Sequence, residues 1–282
     1  MIRLNRRWKI VAITVAVLIV LPVALVFGLN RYVNDTSVPL ADTLFPGDGP
    51  KRLLAVFAHP DDEITMAGTL RRMADEPGAE ITVAYLTRGE AAEVPKKSPQ
   101  DLAQRRTVEI EDAAGILGAK PLELFDFPDG GLPAADATAA KATISGLIEK
   151  YRPTVVVSFD EKVGFYGHAD HRQVGIWVAE VLRADRGSVT AYYQATLPES
   201  MISVAKDLSP TFKTHYPTDP AQGLPAPTVA VSISSQGAAK REALDAHVSQ
   251  VTILQAVQPG YDLLPSWIYF RILSREYFTR VF

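Results

Sequence analysis

Two kinds of hydrophobic pattern alternate along most of this chain. Short unbroken apolar runs, among them Leu53-Leu54-Ala55-Val56-Phe57 and Thr154-Val155-Val156-Val157-Ser158, read as strands buried on both faces. Longer segments with helical periodicity separate them. The pattern predicts a strand over 52–58, a helix over 62–74, a strand over 81–87, a helix over 99–117, a strand over 122–125, a helix over 134–151, a strand over 155–159 and a helix over 169–184. Strands alternating with helices predict an α/β fold, a mostly parallel sheet with helices on both faces. Beyond 184 the pattern is looser. It supports strands over 189–196 and 228–234 and a helix over 236–257 that breaks at Pro259-Gly260, with no strand order.

The first thirty residues stand apart from this alternation. Ile10 to Gly28 is an uncharged apolar run preceded by Arg3, Arg6, Arg7 and Lys9. As a helix rising about 1.5 Å per residue it would reach roughly 28 Å, close to the ~30 Å of a bilayer core. The expectation is one N-terminal transmembrane helix over 10–29, after a basic cytoplasmic tail over 1–9 that would leave the rest of the chain outside the cytoplasm. A cleaved signal peptide, giving a secreted protein, is the competing expectation; the run is long for one, and its exit, Leu25-Val26-Phe27-Gly28-Leu29, lacks small residues in an A-x-A-like arrangement. Residues 30–50, with Val38-Pro39, Phe45-Pro46-Gly47 and Gly49-Pro50, read as an extended linker. The globular domain is expected over 51–282.

Composition narrows the chemistry. The chain has 282 residues, 47% hydrophobic, with 29 Lys+Arg against 32 Asp+Glu and a net charge of -3, which suits one sizeable domain with an appendage. The absence of a basic excess argues against a nucleic-acid partner. There are no cysteines, so thiol catalysis and disulfides are excluded, and any metal must be held by nitrogen and oxygen.

Two polar clusters sit where predicted strands end, the place where ligands collect in open α/β sheets. The first is His59-Pro60-Asp61-Asp62-Glu63 and the second Tyr166-Gly167-His168-Ala169-Asp170-His171. Three adjacent acids repel one another unless a cation sits among them. Two histidines and a carboxylate suffice for a catalytic zinc, which keeps a fourth position for water, lowers its pKa to about 7 and polarises a carbonyl. One acid and one histidine remain, suited to general base and to oxyanion or leaving-group duty. Spacing leaves the choice of ligand between Asp61 and Asp62 open, although Asp62 shares a face with His59 if a helix starts there. Asp170 can orient a neighbouring imidazole. Iron(II) or cobalt would also suit such a donor set.

These two clusters, with Thr87-Arg88-Gly89-Glu90, Arg106-Thr107-Val108-Glu109 and Phe127-Pro128-Asp129-Gly130 between them, resemble the PIG-L/LmbE family of metal-dependent N-acetylglucosaminyl deacetylases. The similarity spans about 51–182, with a weaker echo at His247-Val248-Ser249-Gln250. The resemblance implies a Rossmann-like domain in which His59, Asp62 and His171 ligate zinc and Asp61 is the general base. It further implies that His168 stabilises the oxyanion or acts as an acid, that Tyr166 can swing over the substrate carbonyl, and that Arg106 and Asp129 line the sugar pocket.

Blander readings accompany each of these. Acids at 61–63 also suit a helix N-terminus, Asp170 a helix cap, and Arg106 with Glu109 an exposed i,i+3 ion pair. Tyr166 can simply pack a loop, His215 reads as structural, and His247 and Gln250, for which the family echo suggests a role in the pocket, also suit one exposed helix face. The expected function is zinc-dependent removal of an N-acetyl group from an amino sugar, whether a small molecule, a glycolipid or a glycan, by a membrane-anchored enzyme. Hydrolysis of another N-acyl amine or sugar conjugate, and an inactive carbohydrate-binding module, are the alternatives.

Overall fold

The computed structural model describes residues 6–92 and 98–282, and the side chains of residues 6, 8–13, 16, 19 and 99 also fall outside the description. Among the described residues eight strands form one sheet: β1 (Leu40–Ala41), β2 (Arg52–Phe57), β3 (Glu80–Tyr85), β4 (Leu122–Leu124), β5 (Val155–Ser158), β6 (Ala191–Thr196), β7 (Val229–Ser232) and β8 (Arg275–Arg280). Their spatial order is β1-β7-β8-β6-β5-β2-β3-β4. All pairs from β6 to β4 are parallel, whereas β8 runs antiparallel to both its neighbours. The expected mostly parallel sheet is therefore present.

β2 is central because it is apolar on both faces. Leu53, Ala55 and Phe57 enter one core and Leu54, Val56 and Ala58 the other, as a side-chain period of two requires. Helices Ala67–Ala74, Pro99–Leu117 and Gly237–Ala246 cover the first face with Leu70, Met73, Ile110, Leu117 and Ala243. Helices Ala137–Tyr151 and Ala169–Ala184 cover the second with Ile144, Leu147, Val174 and Trp177. The chain leaves β2 for β3 and β4 on one side and later lays β5 on the other. Connections diverge there, opening a crevice beyond the carboxyl ends of β2 and β5.

Several predicted boundaries move for local reasons. The helix expected over 134–151 starts at Ala137, because the Asp136 side chain accepts the N–H groups of Thr138 and Ala139 as an N-cap. The stretch expected as one helix over 62–74 is a 3-10 turn, Asp62–Thr65, and a separate helix joined through Met66 at φ -137°. The helix expected over 236–257 breaks at His247, whose ψ of 58° leaves the helical region. β8 escaped prediction because Arg275, Glu276 and Arg280 interrupt its apolar pattern. Its buried Glu276 is satisfied by the N–H groups of Gly68 and Thr69, at 3.0 and 2.6 Å, and by Lys240 at 2.7 Å.

The N-terminal expectations need correction. The run 10–28 is helical within Arg6–Val33, yet among the described residues no helix is long and apolar enough to cross a membrane. The expected transmembrane anchor, the membrane as a partner and the extracytoplasmic location inferred from it are overturned. The basic tail over 1–9 falls mostly outside the described residues. Nor does 30–50 behave as a free linker. Asn30 and Asn34 donate to the carbonyls of Arg271 and Ile272, at 2.7 and 2.6 Å. Val33, Val38, Leu44 and Phe45 are buried, and β1 pairs with β7.

Gly175 marks where the helix Ala169–Ala184 lies directly on the chain leaving β5: a Cβ there would stand 2.7 Å from the carbonyl oxygens of both Phe159 and Asp160. Gly175→Ala should therefore lose about 1–3 kcal/mol of stability, read as a lower thermal unfolding midpoint. An unchanged midpoint would contradict the close approach.

Candidate active site

The two clusters meet at the crevice. The chain turns sharply after β2, and Asp62 folds its carboxylate back so that Oδ2 accepts the N–H groups of Ala58 and His59 at 3.0 and 2.8 Å. Asp62 Oδ1 lies 2.9 Å from His171 Nε2, and His171 Nε2 lies 3.2 Å from His59 Nδ1. His59 Nδ1 is 3.7 Å from the other oxygen, Asp62 Oδ2, too long for a hydrogen bond, so the two imidazole nitrogens and the two carboxylate oxygens face one small space. An ion with tetrahedral bonds of ~2.1 Å separates its ligand atoms by about 3.4 Å. The observed separations bracket that value, and the nitrogen and oxygen donors fit a borderline divalent metal.

The opposite nitrogen of His59 is also used. His59 Nε2 lies 3.0 Å from Asp129 Oδ1 and 3.2 Å from Asp170 Oδ2, the carboxylate–imidazole arrangement that orients a ligating histidine. Asp170 is in turn fixed by the N–H groups of Gly130 and Leu132, at 2.7 and 3.1 Å. It is therefore neither a helix cap nor a surface acid. His171 is oriented differently: its buried Nδ1 has no partner, and the ring stacks on Phe159 with centroids 4.2 Å apart at 4°.

Electrostatics follow from these contacts. Burial pulls the His59 imidazole down, but the carboxylates of Asp129, Asp170 and Asp62 outweigh it and raise it well above its ordinary value. Burial would raise Asp62, yet His171 and His59 hold it well below the usual carboxylate range. This pocket retains positive charge, whether carried by protons or by a metal. His168 is pushed down to about 4, first by burial and then by His171 and His59. Its Nδ1 accepts the Asp170 N–H at 3.3 Å, which leaves the proton of the neutral ring on Nε2.

Asp61 has another environment. Its φ of 110° turns the carboxylate from the imidazoles to Arg106, 2.9 Å away. Burial raises it to about 6, against the pull of Arg106 and with the push of Asp62. Its side chain keeps 14% exposure, so water can reach it. Arg106 is buried and also donates to the carbonyls of Gly89, at 2.8 Å, and Pro60. A Cβ on Gly89, at φ +70°, would overlap that guanidinium, which explains the glycine. Tyr166 packs over the site with its ring 5.1 Å from His171 and 6.0 Å from His168; burial, then Asp62 and Asp61, raise its hydroxyl well above the ordinary value.

Some expectations fail here. Arg106 and Glu109 are not an exposed pair: both are buried, and Glu109 binds Arg105 and Ser249. His247 and Gln250 are 0% and 1% exposed, so the blander reading that put them on an exposed helix face fails. Sequence reasoning also missed Glu63, whose two oxygens meet Tyr85 at 2.9 Å and His247 at 2.5 Å. The available signal was its place as the third acid of a run leaving a buried strand.

Residues 54–182 match the PIG-L family, described as GlcNAc-PI de-N-acetylase. Over 289 aligned residues the chain is 32% identical to the 1D-myo-inositol 2-acetamido-2-deoxy-alpha-D-glucopyranoside deacetylase of Kineococcus radiotolerans, covering 85% of this chain and 79% of that protein. The chain belongs to the PIG-L family. Among solved structures, N,N'-diacetylchitobiose deacetylase from Pyrococcus horikoshii superposes with a TM-score of 0.59 at 22% identity, covering 82% of this chain and 84% of that one. A 4-carboxy-2-hydroxymuconate hydratase from Pseudomonas putida KT2440 gives the same TM-score of 0.59 at 19% identity, covering 82% and 96%. Both likenesses concern the fold, which evidently hosts more than one reaction. The PIG-L match takes in both polar clusters and stops short of His247.

Asp170→Ala should weaken metal binding about 10–100-fold by releasing His59, as measured by chelator competition. Unchanged affinity would show that Asp170 does not orient the imidazole.

Proposed function

We propose that this PIG-L family member is a metal-dependent hydrolase that removes the N-acetyl group from an N-acetylglucosamine-type sugar. The observation that carries this reading is the convergence of His59, Asp62 and His171 within 3.7 Å of one another beside a carboxylate, Asp61, that is turned elsewhere. The names of the Kineococcus and Pyrococcus relatives support an acetylated amino sugar as the substrate class. A teicoplanin deacetylase of similar fold has a zinc-inhibited form, which supports zinc as a metal that such sites accept.

His59, Asp62 and His171 are the proposed metal ligands. A divalent ion there supplies Lewis acidity toward an amide carbonyl oxygen and lowers the pKa of water. Asp61 takes the proton of the attacking water as its oxygen bonds to the acetyl carbon, and gives that proton to the amine nitrogen when the C–N bond breaks. His168 donates its Nε2–H to the oxygen that gains charge; the Asp170 N–H on Nδ1 favours this neutral-donor role over that of a charged acid. Tyr166, above His168 and His171, is suited to the same oxygen. Arg106 holds Asp61 in place, and Asp129, with Oδ1 on His59 Nε2 and Oδ2 on the Ala91 N–H, supports His59; a place for it in the sugar pocket is proposed from the family resemblance alone. A binding module without catalysis is disfavoured, because binding a sugar gives no reason to bury a base beside a metal cradle.

Asp61→Ala should bind metal stoichiometrically yet release acetate about 100- to 10,000-fold more slowly; a rate near wild type would remove Asp61 from the reaction. His171→Ala should lose the metal, and elemental analysis finding one equivalent would refute its assignment. Screening acetate release from N-acetylglucosaminyl inositol, N,N'-diacetylchitobiose and simple N-acyl amines tests the substrate class. Preference for simple N-acyl amines would shift the reading to a general amidase.

A further inference from the structure

We propose that the segment 247–250 is a positioning device for Asp61, acting through Glu63 on its backbone; this rests on the deacetylase reading above. Asp61 is one of three non-glycine residues with positive φ among the described residues. At φ 110° and ψ -13° its backbone occupies a region that side-chain-bearing residues avoid unless neighbours enforce it. Two contacts hold its main chain: the carbonyl accepts the Ile64 N–H at 3.2 Å within the 3-10 turn, and the N–H is donated to a side chain, Glu63 Oε2, at 3.0 Å.

Glu63 can impose this only if it has one orientation itself, and both its oxygens are engaged. Oε2 also accepts the Tyr85 hydroxyl at 2.9 Å, and Oε1 meets His247 Nε2 at 2.5 Å. Glu63 and His247 are 1% and 0% exposed, so solvent offers no substitute partner. Two residues on, the Ser249 N–H and hydroxyl donate to Glu109 at 2.8 and 2.6 Å. Glu109 lies on the helix Pro99–Leu117, one turn beyond Arg106, whose guanidinium holds the Asp61 carboxylate. The segment therefore ties together the two supports of Asp61: Glu63 on its backbone and the Arg106 helix on its side chain. A buried pair serving stability alone is replaceable by apolar residues; this one ends on the N–H of the proposed base.

The test compares kcat, KM and bound metal in His247→Leu, His247→Gln, Glu63→Gln and the double variant Glu63→Gln/His247→Leu, using the substrate on which the wild type is most active. His247→Leu should lower kcat by about 100-fold, the cost of displacing a reacting group by about an ångström, with KM and metal stoichiometry unchanged. Glutamine places an amide N–H near the position of Nε2 and should restore most of kcat. The double variant should be no worse than its weaker parent, because both changes break one chain of contacts. Should His247→Leu fail to fold, Ser249→Ala, which leaves His247 in place, should lower kcat several-fold at constant KM. Wild-type kcat in His247→Leu or Ser249→Ala overturns the proposal, as does loss of activity only in step with loss of metal, or additive losses in the double variant. A wild type inactive on every N-acyl amine is a different result: it removes the deacetylase reading itself, and this inference with it.

Discussion

His59 is contacted by acids at both ring nitrogens, and the rest of the site is arranged to make that tolerable. Asp62 lies near Nδ1, and Asp129 and Asp170 near Nε2. Carboxylates crowded out of water are costly unless hydrogen-bond donors and positive charge compensate them. The chain supplies the donors from backbone at three different loops. Ala58 and His59 serve Asp62 after β2, Gly130 and Leu132 serve Asp170 after β4, and Ala91 serves Asp129 after β3, at 2.7 Å. Three connections must converge for the acids to be satisfied, which is why the site depends on the strand order and cannot be built from one motif.

Adjacent residues Asp61 and Asp62 show how local backbone assigns different chemistry to identical side chains. Asp62 faces imidazoles and backbone N–H groups and stays ionised. Asp61, displaced by its left-handed conformation, faces one guanidinium and a narrow opening to solvent, and burial raises it to about 6. Two carboxylates whose environments push their proton affinities apart are the usual basis for dividing ligand and base duties. Spacing alone left the proposed division open, because what separates the two carboxylates is a single backbone angle.

What was legible in the sequence follows a physical pattern. The helices Pro99–Leu117 and Ala169–Ala184 appear within the expected bounds, since periodicity and capping are local properties. β2 and β5 were legible because strands buried on both faces leave unbroken apolar runs. β8 was not, because its charged residues find buried partners 36 and more residues away. The same limit hid the partner of His247, although the family echo at 247–250 had marked the segment. A lone imidazole in a polar stretch reads as surface, and only the fold brings it to Glu63. The N-terminal run was misjudged on composition alone: Asn30 and Asn34 bind carbonyls more than 200 positions downstream, so the end of that helix is docked against the globular domain.

The fold is shared with a hydratase as closely as with a deacetylase, so the fold by itself does not select a reaction. The loop after β5 is held firmly. The Asp160 carboxylate accepts the N–H groups of Lys162, Val163 and Phe165 at 2.7 to 2.9 Å, and Gly167, at φ +107°, passes so close to the His215 carbonyl that a Cβ would lie 2.2 Å from it. His215 is structural, as expected, and acts there through its backbone carbonyl. These contacts fix the path that presents Tyr166 and His168 over the site. Preorganisation here does not come from the sheet alone; a buried aspartate and an unsubstituted glycine give a loop the rigidity that placing a hydrogen-bond donor opposite developing charge requires.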